Sequence, residues 1–257
     1  MPLGATKFMV ITRKLIRTPG IVAHVGVSIK GALDALQQGG TVLVYDADGR
    51  EEETDMAVAS QFVTPTVIRS LRREAGGLIC VTVPDEVRSR IGLPYIADVY
   101  RDASEFYPVL KHTVADDIPY DKTSPFSITV NHRDTYTGIT DRDRALTISR
   151  FAQLVGEALR RENGWAPAAM GAQFRSPGHV PILNAADGLL TKRRGHTELT
   201  TCLVTMADLI PSATICEMLG DDGRALAKDD AKKYAERRNH VFLEGQDVSE
   251  AWRARSG

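Results

Sequence analysis

The stretch Gly39-Gly-Thr-Val-Leu-Val-Tyr-Asp-Ala-Asp-Gly-Arg-Glu-Glu-Glu-Thr-Asp-Met-Ala-Val-Ala-Ser-Gln-Phe-Val63 decides how the chain is read. Thr41–Tyr45 is a short apolar run rich in β-formers that follows a Gly-Gly stop, which predicts a buried strand. Met56–Val63 predicts another. Between them lies an acidic loop, Asp46 to Asp55. In an extended backbone, side chains two apart share a face, so Glu51, Glu53 and Asp55 are expected to point to one side. Three carboxylates that close repel each other unless a cation or protons intervene. A hard divalent ion such as Mg²⁺ meets that need, because it takes oxygen ligands and keeps waters. Arg50 beside them suits an anionic substrate. The competing reading is a solvated acidic hairpin, since charge runs commonly lie on the surface.

Working outward, helices and strands alternate at short intervals. Ser28 is placed to cap a helix over Ile29–Gln38. Thr64-Pro65 caps a helix that ends at Gly76-Gly77. Leu78–Val83 predicts a third strand, and Pro84 opens a short helix to about Ile91. Pro94 to Pro125 is rich in Tyr, Asp and Pro and reads as a long loop with short elements, the kind of segment that serves as a lid. Phe126–His132 alternates like a strand. Thr140 with Asp143 resembles a capping box for a helix to about Arg161. Strand-like segments follow near Phe174 and over Val180–Leu183. The spacing of Leu199, Cys202, Leu203, Met206 and Ile210 predicts an amphipathic helix over Gly195–Leu209. Ala213–Met218 is strand-like, and Lys228–Asn239 reads as a charged surface helix. Neither a repeat nor a long linker interrupts this pattern, so one domain of mixed helix and strand is expected.

Composition narrows the function. The 257 residues carry 32 Lys and Arg against 33 Asp and Glu, a net charge of −1, which argues against a protein whose main work is gripping nucleic acid. Hydrophobic residues at 43% and charged residues at 25% exclude a collagenous or disordered chain. Cys80, Cys202 and Cys216 are far apart and odd in number, so neither a disulfide framework nor a zinc clip is expected. Reduced thiols in a cytoplasmic compartment are the simplest reading. With no apolar run of 18 residues, no membrane span is expected. Residues 1–25 form a basic extension with Lys7, Arg13, Lys14 and Arg17, read as a tail rather than a targeting leader.

Further stretches carry candidate chemistry. Thr191-Lys-Arg-Arg-Gly-His-Thr-Glu198 precedes the predicted helix. Backbone N–H groups at a helix N-terminus favour anions, Gly195 permits close approach, Thr197 adds a hydroxyl, and Arg193 and Arg194 suit phosphate. His196 can bind a metal or carry protons; the bland reading is a basic helix cap. Ser176-Pro-Gly-His-Val-Pro181 fixes His179 in what reads as a turn. Glu217 ends an apolar strand, where burial would make it a usable acid or base; equally, it would reach water. Cys80 reads as a small buried residue. Thr137-Gly-Ile-Thr-Asp-Arg-Asp-Arg144 is a polar turn into a helix that lines a site or only caps the helix. No GxGxxG, P-loop, HExxH or GxSxG motif is present.

Six blocks together resemble the 3,4-dihydroxy-2-butanone 4-phosphate synthases of riboflavin biosynthesis, in their archaeal-type stand-alone form. They are Arg50-Glu-Glu-Glu-Thr-Asp55, Gly77-Leu-Ile-Cys80, Thr137-Gly-Ile-Thr140 with Asp143-Arg144, Pro177-Gly-His179, Arg193-Arg-Gly-His-Thr-Glu198 and Ile215-Cys-Glu217. They follow the family's order from about Val27 to Leu243, with His179 and His196 17 apart and Glu217 a further 21 on. The resemblance implies a single α+β domain, a mixed β-sheet sandwiched between helices, over residues 26–245, with 246–257 as a C-terminal tail. It implies conversion of D-ribulose 5-phosphate to L-3,4-dihydroxy-2-butanone 4-phosphate and formate, with Mg²⁺ as cofactor. A histidine ligand would suit Mn²⁺ as well.

By the same resemblance, Glu51 and His196 would be metal ligands, and His179, Glu217, Glu53 and Asp55 the acids and bases. Substrate would be held by Arg50, Glu51, Asp55, Thr137, Arg193, Arg194, Gly195, His196, Thr197 and Glu217. A homodimer with sites near its interface is implied, and neither nucleic acid nor membrane is an expected partner. Many members have glycine where Thr54 and Arg194 stand. Thr54 would be strained if that position required a positive φ. A patch of Lys192, Arg193 and Arg194 offers a competing reading as a nucleic-acid binding module, but the neighbouring carboxylates oppose it.

Overall fold

The computed structural model describes residues 29–162 and 164–256. The basic segment 1–25 and the expected Ser28 cap lie outside the described residues.

Seven strands form one mixed sheet in the order β4-β5-β3-β6-β2-β1-β7. They are β1 (Val42–Tyr45), β2 (Thr54–Ala59), β3 (Cys80–Val83), β4 (Phe126–His132), β5 (Phe174–Asn184), β6 (Ala213–Glu217) and β7 (Val241–Glu244). The β1/β7 and β3/β5 pairs are parallel, and the other four are antiparallel. The strand runs around Val44, Val58 and Val81 are apolar without alternation because both faces of the sheet are covered.

On one face Leu43, Met56, Val58 and Val81 pack with Ile148, Phe151 and Leu154 of the long helix α5 (Asp141–Arg160). Helices α2 (Pro65–Ser70), α3 (Asp85–Ile91), α6 (Ala166–Gln173) and α8 (Lys228–Arg238) contribute Ile68, Val87, Met170 and Ala231 to that core. On the other face Val42, Val44, Ala57 and Ile215 pack with Leu199, Cys202 and Leu203 of α7 (His196–Met206). Helices α1 (Ile29–Gln37) and α9 (Gly245–Ser256) lie against α7. The expected sandwich of helices around a mixed sheet is therefore the observed fold.

The caps behave as their chemistry requires. Thr64 accepts from the Val67 N–H, and Thr140 accepts from the Asp143 N–H. Asp143 bonds the Gly138 N–H at 2.9 Å rather than closing a reciprocal capping box.

Segment 94–125 is, as expected, a long loop with short elements, among them a helix, α4 (Ile96–Ala103), none of whose residues is buried. Other expectations are corrected. Helices α6 and α9 and strand β7 were not expected. Residues after 245 are not a tail: Val248 is fully buried, and Arg255 bonds the Met206 carbonyl at 2.6 Å and Asp208 at 2.7 Å. Helix α7 is not amphipathic, because α1 and α9 cover the side away from the sheet, and Thr197, Glu198, Thr200 and Thr201 are all buried. The two segments near Phe174 and Val180 are one strand, from which residues 176–179 loop out between the pairs Asn131↔Arg175 and Val130↔Val180.

Candidate active site

Asp46 folds the acidic loop. It leaves the end of β1 with its carboxylate buried, and accepts from Arg50 Nη1 at 3.0 Å, the Glu51 N–H at 2.9 Å and the Glu53 N–H at 3.2 Å. The chain turns through Gly49 (φ 76°) and Glu52 (φ 57°), and the Gly49 N–H donates to Glu52 Oε1 at 2.7 Å. The carboxylates of Glu51, Glu53 and Asp55 still line one cavity, by way of this turn rather than by simple strand alternation. Asp55 is already part of β2, opposite Glu217 on β6. Thr54 lies in the extended strand, and the left-handed residue is Glu52, so Thr54 carries no backbone strain.

His196, the first residue of α7, is buried against these acids. Its Nδ1 lies 3.1 Å from Glu51 Oε2, and its Nε2 lies 3.2 Å from the Glu53 carbonyl and 3.8 Å from Asp55 Oδ1. Burial is the largest influence on the ring and pushes its pKa down, but Asp55 and Glu51 outweigh it and the pKa rises to about 10. Burial acts most strongly on Glu51 too, upward, yet His196 and the adjacent arginines hold that carboxyl at about 2. Burial pushes Asp55 up to about 8, with His196 opposing and Glu217, Glu51 and Glu53 adding to it. Glu53 is raised by burial and by Glu51 and Glu217. One cavity thus holds one carboxyl kept low by its cationic neighbours beside two raised by burial, the separation that acid–base chemistry uses.

Two arginines flank the acids. Arg50 reaches Glu51 Oε1 at 2.7 Å and Asp121 Oδ2 at 2.9 Å. Arg193 reaches Asp121 Oδ2 at 2.6 Å and the buried Glu198 at 2.6 Å. Glu198 is itself fixed by the Ala186 N–H at 2.9 Å, so Arg193 stands on a rigid support. Both guanidinium groups pass over Gly195, where any Cβ would collide with them. Thr197 lines the cavity, whereas Arg194 is solvent-exposed and outside it.

Glu217 closes the cavity from β6. Its Oε2 accepts from the Leu78 N–H at 2.7 Å, and its carbonyl accepts from the Gly77 N–H at 3.0 Å. The cavity is about 170 Å³, and Ile118, Tyr120, Asp121 and Thr123 of the 94–125 segment form one wall.

His179 is not in this cavity. It sits exposed on the 176–179 excursion, held by Asn131 and near Thr137. Thr137 is also exposed and outside the cavity. Among the expected residues, Glu51, Glu53, Asp55, Arg193, His196, Thr197 and Glu217 line one cavity, and Gly195 packs under Arg193 and Arg50. Sequence reasoning missed Asp46, Asp121, Asn131 and Glu198. Asp46 carried a faint signal, an acid at a strand end followed by a Gly-Arg turn; Asp121 carried none.

The donor set fits a divalent cation. Asp46, Glu51 and His196 each bring one ligand atom within 4.8 Å of the others, but both Asp46 oxygens are already engaged by Arg50 and loop amides. Glu51 Oε2 and His196 Nδ1 remain, 3.1 Å apart. Neighbouring donors in an octahedral shell with bonds of about 2.1 Å stand about 3 Å apart. His196 Nε2 already faces the Glu53 carbonyl, the outer-shell contact that orients a ligating histidine. Asp55 Oδ1 is buried and makes no hydrogen bond among the described residues, so it has capacity for one more partner.

The model of the 3,4-dihydroxy-2-butanone 4-phosphate synthase family matches residues 30–251. A protein of that name from Methanothermobacter thermautotrophicus is 48% identical over 227 residues, covering 88% of this chain and 96% of that protein. One from Archaeoglobus fulgidus is 44% identical over 224 residues, covering 86% and 92%. The crystal structure of the Candida albicans synthase superposes with a TM-score of 0.66 at 29% identity, covering 87% of this chain and 96% of that one. Another synthase structure, in complex with two magnesium ions, superposes with a TM-score of 0.68 at 27% identity, covering 86% and 94%.

Proposed function

The chain belongs to the 3,4-dihydroxy-2-butanone 4-phosphate synthase family of riboflavin biosynthesis, and on that premise we propose that it converts D-ribulose 5-phosphate into L-3,4-dihydroxy-2-butanone 4-phosphate and formate in the cytoplasm. The observation that carries this reading is the Glu51–His196 pair, 3.1 Å apart, facing Glu53, Asp55 and Glu217 in one cavity flanked by two arginines. Glu51 and His196 would hold Mg²⁺, with Mn²⁺ as a substitute. When bound, the ion supplies Lewis-acid stabilisation of charge developing on substrate oxygens.

The remaining work falls to the chain's own groups. Arg193, Arg50 and the α7 N-terminus at Gly195–Thr197 receive the phosphate. Asp121 accepts from both arginines, and the phosphate would take its place as their anionic partner. Asp55, whose carboxyl burial pushes up to about 8, would donate at a substrate oxygen. Glu217, fixed by the Leu78 N–H through one oxygen, has the other free to take a proton. The 94–125 wall serves as the lid that excludes water.

We also propose a homodimer. His179 and Thr137 lie outside the cavity of their own chain, and a second copy would bring them to it. Two sets of exposed apolar side chains support that apposition: Tyr136 and Ile139 beside Thr137, and Leu78 and Leu219 beside Glu217. Glu217→Gln and His179→Gln should each leave a folded protein whose formate release falls by ~10² or more, the scale of one lost acid–base group. Near-normal release from either variant rejects the role given to that residue.

A further inference from the structure

We infer that Asn131 is a positioning residue that holds the His179 ring in the tautomer with its proton on Nε2, so that His179 meets its substrate as a hydrogen-bond donor.

The His179 backbone N–H and the Asn131 amide nitrogen can only donate hydrogen bonds. The His179 backbone N–H donates to Asn131 Oδ1 at 2.8 Å. A backbone N–H has no other role, so this contact fixes which end of the Asn131 amide is oxygen. The amide nitrogen therefore faces His179 Nδ1, at 3.1 Å. An NH₂ group offers hydrogens and no lone pair, so Nδ1 must accept. A neutral imidazole has one ring proton, and with Nδ1 as acceptor it resides on Nε2.

The surroundings prevent the amide from turning over. Asn131 is buried on β4, and its second amide hydrogen points to the Thr137 carbonyl at 3.4 Å. Gly138, at φ 91°, lies against the amide, and a Cβ there would collide with it. The excursion that carries His179 is itself pinned to β4: Ser176 Oγ donates to the Thr129 carbonyl at 2.8 Å, and the Gly178 N–H donates to Thr129 Oγ1 at 3.1 Å. A flip of Asn131 would set an amide N–H₂ against the His179 backbone N–H, donor against donor. The closed clamp permits one ring tautomer. The chemical use of the Nε2–H, a hydrogen bond to a substrate oxygen on which negative charge develops, rests on the synthase reading; the tautomer itself does not.

The test is ¹⁵N NMR of the full chain labelled at histidine, at a pH where the ring is uncharged, with the His179 signals identified by their loss in His179→Gln. An unprotonated, pyridine-type Nδ1 and a protonated Nε2 are expected. A proton on Nδ1 overturns the inference without recourse to any variant. Asn131→Asp replaces the NH₂ donor with a carboxylate acceptor, so the two nitrogen signals should exchange character while formate release falls by ~10². Unexchanged signals in a folded Asn131→Asp protein also overturn it. A wild-type protein with Nε2–H that releases no formate would refute the synthase reading and leave the positioning role supported.

Discussion

His196 shows how much one side chain asks of its neighbours. Both ring nitrogens face oxygen acceptors, and the ring's pKa is raised to about 10. Because the folded value is raised, this charge stabilises the fold below the unfolded pKa of 6.5, and the contribution is lost as pH rises through about 10. The proposed ion would take the bare Nδ1, so its binding should release about one proton per ion. Apparent Mg²⁺ affinity should therefore rise with pH, by about tenfold per unit across the neutral range. Calorimetric titrations in two buffers of different ionisation enthalpy check this. Binding with no proton release would remove His196 from the ligand set. At this scale the sequence was informative where function compresses residues into short motifs, as in Arg50–Asp55 and Arg193–Thr197. It was silent on Asp121 and Asn131, whose partners lie 72 and 48 positions away in the chain, at Arg193 and His179.

The element that matters most is the loop between β1 and β2. Its conformation rests on Asp46, which takes three donors from within the next seven residues. Asp46→Ala leaves two loop N–H groups and Arg50 without that acceptor. It should cost ~2 kcal/mol of stability in chemical denaturation, the scale of lost bonds to a charged group. Mg²⁺ binding should weaken at the same time, because Glu51 loses its backbone anchor. Unchanged stability together with unchanged Mg²⁺ binding would show that the loop holds its shape by other means. Elements with strong local signals, such as the strand Val42–Tyr45 and the capped helix Asp141–Arg160, were readable. Helix α6, with Pro167 and Gly171 inside it, and the four-residue strand β7 carry little periodicity and are held by tertiary contact. Helix α7 misled for the opposite reason: its apolar spacing is genuine, but burial on the second side also encloses its threonines.

For the whole molecule, α+β character and a mixed sheet followed from family resemblance, whereas strand order did not follow from any local pattern. The order β4-β5-β3-β6-β2-β1-β7 puts β2 beside β6, and so Asp55 opposite Glu217, although 162 positions separate them. That pairing, with α7 set against the same sheet, creates the cavity. Ion-dependent formate release is the activity proposed for this cavity. Purified protein mixed with D-ribulose 5-phosphate and Mg²⁺ should produce formate in the proton NMR spectrum. Production should stop with excess EDTA and return when Mg²⁺ or Mn²⁺ is restored. A folded protein that releases no formate with either ion, or releases it equally well in EDTA, would contradict the account.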